Sequence, residues 1–353
     1  MGELALRGLT VGYGGTPVLR DFDLTVADGE VVSLLGPSGT GKTTLLRAVA
    51  GLTRPMAGEI LINGRSVNEL PPEQRDAVMV FQKPLLFPYM NVAQNVGFGL
   101  KMLGIPAEEA RSRIDRMLGL VQLAGLADRK VHALSGGQQQ RASLARALVL
   151  DPAVLLLDEP LSSLDANLRQ QMRELIREVQ AETGVTTLFV THDQSEALML
   201  SHRVALILDG RVRQVGAPRD LFYRPADPEV AHFFGGCNFF TGRVKAGWFR
   251  TEFGDFPISR PNGNGAVLTA TIRPEDVELL GPEDNEGLPA VVRRTHFEGA
   301  ATRVWVQCGE TRFAALTGRG DFRPGREVRL RLPPDRVRIF FPEATKKMEG
   351  DHE

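Results

Sequence analysis

Residues Gly36-Pro37-Ser38-Gly39-Thr40-Gly41-Lys42-Thr43-Thr44 constrain this chain more than any other stretch, because they satisfy G-x-x-x-x-G-K-[ST] between an apolar run and a helical one. Val31–Leu35 reads as a buried parallel strand and 44–49 as a helix, so the loop belongs at a strand-to-helix junction of an α/β fold. Glycines 36, 39 and 41 let successive backbone N–H groups curl round an anion, and the helix N-terminus adds partial positive charge. Lys42 then brings a full charge to the β- and γ-phosphates of a nucleotide, and the Thr43 hydroxyl is placed to ligate Mg²⁺.

Three further apolar runs each end in a residue suited to the same chemistry. Residues 78–81 read as a buried strand that delivers Gln82 to its carboxyl end, the edge where open α/β sheets bind ligands. Residues 154–157 read as a strand ending in Asp158-Glu159-Pro160. Two adjacent carboxylates there make sense beside Mg²⁺: Asp158 binds the metal through its water shell, and Glu159 orients or deprotonates an attacking water. Residues 187–190 read as a strand presenting Thr191 and His192, with Asp193 and Glu196 spaced as N-cap and N3 of the next helix. That spacing fixes His192 just ahead of a helix end, where it favours a phosphate contact. Leu134-Ser135-Gly136-Gly137-Gln138 opens an amphipathic helix running through Leu150. Ser135 with Gln138 fits a capping box, and the two glycines permit close approach of a phosphate to the backbone donors.

The remaining segments organise around these. Residues 4–26 alternate short strands with turns, and one turn holds Tyr13 between glycines, where its ring is placed to stack on an adenine. Residues 58–67 and 204–215 read as hairpins turning at Asn63-Gly64 and Asp209-Gly210. Residues 83–91 carry two prolines and several apolar residues, which makes them either a poorly packed loop or a docking site. Helical spacing dominates 92–128, broken at Ile105-Pro106, as in an inserted helical lobe. Ser162 to Asp165 form a polar turn before a long helix. Beyond Gly235-Gly236 the period becomes two: Val304, Val306 and Cys308 alternate with Arg303, Trp305 and Gln307, and Val328, Leu330 and Leu332 with Arg329 and Arg331. Turns separate these runs, as in a small all-β barrel. The expected domains are 1–235, with the helical lobe at about 92–150, and 236–343; the charged tail 344–353 is expected to be disordered.

Composition serves chiefly to exclude. With 353 residues the chain is long enough for two cores, and 42 Lys and Arg against 43 Asp and Glu argue against a nucleic-acid-coating surface. The N-terminal residues lack the apolar stretch of a secretory signal, and no apolar run approaches a membrane span. Cys237 and Cys308 have no metal-ligand spacing and are expected to be free thiols in a reducing cytoplasm.

Taken together, the motifs over roughly 4–235 resemble the ATP-binding subunit of an ATP-binding-cassette (ABC) transporter. The discriminating motif is the signature at 134–138, since a phosphate loop alone also fits kinases and GTPases. Gln82 looks like the family's Q-loop glutamine, Asp165 like its D-loop aspartate, His192 like its switch histidine and Tyr13 like its adenine-stacking aromatic. The resemblance implies a catalytic set of Lys42, Gln82, Glu159 and His192. It implies ATP held by Tyr13, the loop from Gly36 to Thr44, Ser135 to Gln138 and Asp165, and Mg²⁺ held by Thr43, Gln82 and Asp158. The region from Ile272-Arg273-Pro274-Glu275 onward looks like the transport-associated OB-like domain of bacterial and archaeal importer ATPases.

By that resemblance two copies form a C2 dimer around two ATP molecules, the phosphate loop of one facing Ser135 to Gln138 of the other. The subunit would lie on the cytoplasmic face of the membrane, coupled through residues 82–94 to a permease, and through it to an external substrate-binding protein. No nucleic-acid partner is implied. The cargo, whether sugar, polyamine, ferric ion, sulfate or molybdate, is chosen by those other chains. The competing reading is a soluble cassette ATPase of DNA repair or translation; this chain lacks the long coiled-coil insertion of the former and the second cassette of the latter.

Overall fold

The computed structural model describes residues 2–258, 265–318 and 320–341, and the expected disordered tail lies outside them. Two compact units, Met1–Asp220 and Leu221–Glu353, make up the chain.

In the first unit, β1 (Leu4–Tyr13) and β2 (Thr16–Val26) form an antiparallel hairpin, and β3 (Val31–Leu35) leads through the glycine loop into α1 (Lys42–Val49). After β4 (Ala57–Ile62) and β5 (Arg65–Ser66), β6 (Ala77–Val80) returns to the central sheet. The Asn63-Gly64 turn has both residues in the left-handed region, at φ 53° and 72°, as a two-residue hairpin loop demands. The helical lobe contains α2 (Val92–Val96), α3 (Phe98–Met102) and α4 (Ala107–Leu120), with Pro106 at the start of the last, and ends in α5 (Gly136–Leu148). Then β7 (Val154–Asp158), α6 (Ala166–Thr183), β8 (Thr186–Thr191), α7 (Gln194–Leu200), β9 (Arg203–Leu208) and β10 (Arg211–Gly216) complete the unit.

Two sheets result, β2-β1-β4-β5 and β10-β9-β3-β8-β7-β6. In the second, β6, β7, β8, β3 and β9 run parallel, which explains why β3, β7 and β8 are buried at every position and read as continuous apolar runs rather than alternating ones. One face of this sheet packs on the helical lobe through Val80, Leu155, Leu157 and Phe189. The other packs on α1 and the β1–β2 hairpin through Leu34, Leu156, Leu188 and Val190. Because β3, β8, β7 and β6 are neighbours in that order, their carboxyl ends bring the glycine loop, His192, Asp158-Glu159 and Gln82 to one edge.

The second unit begins inside α8 (Pro218–Tyr223) and continues through α9 (Pro228–Phe233). Residues 222–234 are tied to the β region by Arg273, which donates to the carbonyls of Phe222 and Phe234 and stacks 3.4 Å over the Phe222 ring. The strands β11 (Asn238–Lys245), β12 (Trp248–Thr251), β13 (Gly254–Pro257) and β14 (Val267–Ile272) are followed by β15 (Glu278–Leu280), β16 (Leu288–Phe297), β17 (Thr302–Cys308), β18 (Thr311–Thr317), β19 (Glu327–Arg331) and β20 (Arg338–Phe340). They pair as two antiparallel sheets, β13-β12-β11-β14-β20 and β15-β19-β16-β17-β18, curled about one core that takes side chains from both. The expected alternation holds in β17, where Val304, Val306 and Cys308 are buried between half-exposed Arg303, Trp305 and Gln307. Cys308 is therefore a core thiol, and Cys237 is exposed.

Candidate active site

The glycine loop is held from three sides. A Cβ on Gly36 would lie 2.1 Å from the Ile207 carbonyl oxygen of β9, so only glycine fits where the strand leaves the sheet. Gly41, the N-cap of α1, sits at φ 91°, a conformation that aims the following N–H groups into the loop. At the other end of α1, buried Arg75 donates to the carbonyls of Ala48, Val49, Leu70 and Asn68, satisfying the helix's orphan acceptors. Nothing in the local pattern around Arg75 marks that role.

Lys42 is 4% exposed and its ammonium donates to the carbonyls of Gly36 (2.9 Å) and Pro37 (2.6 Å) and to Thr40 Oγ1 (3.2 Å). Burial pulls its pKa down, partly opposed by Glu159 and Asp158. The ammonium thus sits inside the loop, desolvated and bonded to neutral oxygens, where an anion is its natural counter-charge. Pro37, Ser38 and Gly39 form the exposed rim, while Thr44 is buried beneath it.

Thr43 Oγ1 donates to Asp158 Oδ1 at 2.8 Å, so the hydroxyl and carboxylate expected at the metal are already in contact. Asp158 is buried, and desolvation raises its pKa above the ordinary carboxylate range against the Thr43 hydrogen bond. Among the described residues no group of three or more His, Cys, Asp or Glu side chains could hold a metal. A hydroxyl with a single buried carboxylate suits Mg²⁺ that arrives with phosphate oxygens and keeps part of its water shell. The residues present therefore fit the ion.

Glu159 Oε2 lies 3.2 Å from His192 Nδ1, a pairing across β7 and β8 that the linear sequence does not display. Glu159 also sits at φ 45°, a left-handed conformation that costs a non-glycine residue on the order of 1 kcal/mol and turns its side chain out of strand direction. Gln82 Nε2 donates to Ser162 Oγ at 2.9 Å, and Ser162 Oγ donates in turn to the Glu159 carbonyl at 3.0 Å. Gln82 is thereby joined to the acidic turn rather than to Thr43 and Asp158, and Ser162 is a residue of the site that sequence reasoning passed over as turn filler.

Behind His192, Thr191 Oγ1 donates to Glu196 Oε2 (2.6 Å) and accepts from the Asp193 N–H (3.0 Å), and Asp193 caps α7 through the Glu196 N–H (3.1 Å). Glu196 is thus spent on Thr191, its pKa raised by burial, and Arg169 of α6 stands 3.9 Å away. The signature closes on itself. Ser135 and Gln138 form the reciprocal capping box, and Ser135 and Gly136 are exposed at the start of α5, whereas Gly137 is buried. Among the described residues no hydrogen bond joins this helix start to the glycine loop of the same chain. Asp165 caps α6 through the Leu168 N–H, and Tyr13 stands 51% exposed at the end of β1.

The loop at 83–91 is anchored yet apolar outside. Buried Asn95 bonds both backbone groups of Phe87, Arg146 donates to the Leu85 carbonyl, and Leu85 and Tyr89 stay 57% and 91% exposed. These bonds fix the backbone of the loop while its apolar side chains stay exposed.

A sequence family described as ABC transporter matches residues 19–162, and one described as TOBE domain matches 270–340. Over 310 residues the chain is 46% identical to the spermidine/putrescine import ATP-binding protein PotA of Marinobacter nauticus, spanning 84% of this chain and 82% of that one. It is 44% identical over 307 residues to the Fe(3+) ions import ATP-binding protein FbpC of Escherichia coli K12, spanning 86% of each. Among solved structures it is similar to cbiO1 from Clostridium perfringens, part of the ABC transporter complex cbiONQ, with a TM-score of 0.58 at 33% identity over 62% of this chain and 89% of that one.

Proposed function

The chain belongs to the ATP-binding subunits of ABC transporters, and from that premise we infer that it hydrolyses ATP as a homodimer to drive solute import through separate membrane permease subunits. The observation that carries this reading is the meeting, at one sheet edge, of the Lys42 loop, the Thr43–Asp158 pair and the Glu159–His192 pair. In our assignment the backbone of Gly36 to Thr44 cradles the triphosphate, and Lys42 exchanges the loop carbonyls for its β- and γ-oxygens. Tyr13 stacks on the adenine. Thr43, Asp158 and Gln82 hold Mg²⁺, which neutralises phosphate charge when bound.

Glu159 takes the part of the base that orients the attacking water, and His192 holds that carboxylate while contacting the γ-phosphate. Gln82, released from Ser162, links the state of the site to residues 83–94. Ser135, Gly136, Gly137 and Gln138 act in trans: their exposed helix start faces the phosphate loop of the second copy, with Asp165 at the same interface.

The apolar exposed face of Leu85, Phe87 and Tyr89 is assigned to the permease, which places the subunit at the cytoplasmic face of the membrane. Among the described residues no helix is long and apolar enough to cross a membrane. An external substrate-binding protein completes the importer. Cargo selection belongs to it and the permease, a division supported by the near-equal identity of this chain to relatives named for a polyamine and for ferric ion. The β region after Gly236 is assigned to control or reinforcement of the dimer.

Glu159→Gln tests the core of the reading. Turnover is expected to fall about 10²-fold or more while ATP still produces a dimer in light scattering. Normal turnover in that variant would remove Glu159, and this mechanism with it.

A further inference from the structure

Within the second unit, a cleft of about 300 Å³ opens between residues 222–236 and the ladder of β14 and β20. Its lining carries an excess of positive charge, with Arg224, Arg273, Arg336 and Arg338 against Asp276 and Asp335. Both carboxylates are already engaged by Arg336, at 3.9 and 3.2 Å. Arg273 is locked in place by the carbonyls of Phe222 and Phe234 and by stacking on the Phe222 ring, and its only carboxylate within ion-pair reach among the described residues, the 40% exposed Glu275 at 3.9 Å, balances its charge in part. A further observation points to a ligand. Thr271 is 5% exposed, lines the cleft, and its Oγ1 has no hydrogen-bond partner. Thr271 stands directly opposite Arg338 across the antiparallel ladder, so the two side chains share one face of the sheet.

We propose that this cleft binds a small phosphate-bearing ligand, with the guanidinium groups of Arg273 and Arg338 taking the charge of the anion and Thr271 Oγ1 donating to one of its oxygens. Arg273 spends its Nε and Nη2 donors on the Phe222 carbonyl and so supplies a fixed positive charge, the exposed Arg338 supplies the donors that can close on an anion, and a buried hydroxyl without a partner is costly until a ligand supplies the acceptor. The volume, at the lower end of small-molecule sites, leaves room for more than the bare ion, which favours an organic phosphate over inorganic phosphate. No residue assigned to ATP is involved, so the proposal stands or falls apart from the ATPase reading.

The test is calorimetric titration of the full chain, saturated with the Mg²⁺ complex of a non-hydrolysable ATP analogue so that the phosphate loop is filled out to the γ-position. The titrants are inorganic phosphate and glycerol 2-phosphate, with sodium chloride at matched ionic strength as the blank. Saturable binding is expected for both, tighter for the organic phosphate. Arg338→Gln, at an exposed position where folding is not at stake, is expected to weaken it about tenfold or more. Thr271→Val should weaken it as well while leaving the thermal midpoint of the unliganded protein unchanged or higher, since it removes a hydroxyl that nothing satisfies. Heats equal to the chloride blank, or affinity unaltered in both variants, would overturn the proposal. So would binding that vanishes in Lys42→Ala yet persists in Arg338→Gln, since it would then belong to the phosphate loop.

Discussion

Among the described residues, the buried charged side chains Lys42, Arg75, Asp158 and Glu196 all lie in Met1–Asp220, whereas the core of Leu221–Glu353 gathers Phe240, Phe249, Phe253, Phe256 and Phe313. Four of those rings lie 5.6 to 6.2 Å from Phe240 in tilted and edge-on geometry. The contrast extends to how buried polar groups are treated. Asn238, in the aromatic core, exchanges two hydrogen bonds with the Ala314 backbone, while Lys42 and Asp158 are desolvated with only neutral direct partners. A catalytic unit carries buried charge that its ligand completes; the second unit draws its stability from side-chain packing and leaves the neutral Thr271 hydroxyl for a ligand to satisfy.

The largest expected effect belongs to the packed core. Phe313→Ala should cost about 3–5 kcal/mol in the transition followed by tryptophan fluorescence, because Trp248 and Trp305, the two tryptophans of the chain, both report on the β unit. Turnover per folded molecule should stay within about twofold of the parent, given that every residue assigned to ATP lies elsewhere. Parallel loss of the helical signal in far-UV circular dichroism would break the comparison, since one cooperative core would then serve both units.

Next in size is ligand linkage. MgADP at about 100 times its Kd should add roughly 2.7 kcal/mol to the circular-dichroism transition and leave the tryptophan transition in place.

Asp158→Asn should raise the stability of the unliganded nucleotide unit by roughly 2 kcal/mol near neutral pH while depressing hydrolysis. The pH dependence follows from the direction of the shift. Burial raises the folded pKa of Asp158 above its unfolded value, so the cost of the charge is full at neutral pH and fades as pH falls through the raised value. Wild type and variant should therefore converge in thermal midpoint on acidification, and a gap constant with pH would contradict the assigned cause.

The smallest effect is local. Asp165→Ala removes the N-cap of α6 and should lower the same transition by about 1 kcal/mol, with Asp165→Asn, which keeps the acceptor for the Leu168 N–H, recovering most of it in urea titrations.

What could be read from the sequence was whatever depends on neighbours along the chain. The glycine loop, the carboxyl-end residues Gln82, Asp158 and His192, and the Ser135–Gln138 cap each follow from a few adjacent residues, because parallel buried strands announce themselves as apolar runs. Contacts made across strands were not legible. The Glu159–His192 pair, Gln82 on Ser162, and Arg75 beneath α1 depend on strand order and side-chain direction, which no local pattern encodes. The left-handed turn at Glu159 was equally hidden, since nothing in Asp158-Glu159-Pro160 marks a positive φ on a glutamate. In the β region alternation revealed which faces are buried, yet not that the ten strands among the described residues divide into two sheets.

The placement of β3 between β8 and β9 has a consequence for biosynthesis. The strand that carries the glycine loop leaves the ribosome early, but its two hydrogen-bonding neighbours follow roughly 150 and 170 residues later, and Ile207 of β9 supplies the carbonyl against which Gly36 is seated. At about 5–20 residues per second, translation leaves this segment without its sheet for roughly 10–35 s. During that interval a nascent chain exposes an apolar strand and a loop that has no shape to hold phosphate. Nucleotide therefore cannot assist the early folding of its own binding loop. Competence to bind ATP arrives late and abruptly, when two late-made strands of the first unit slide in on either side of one of the first.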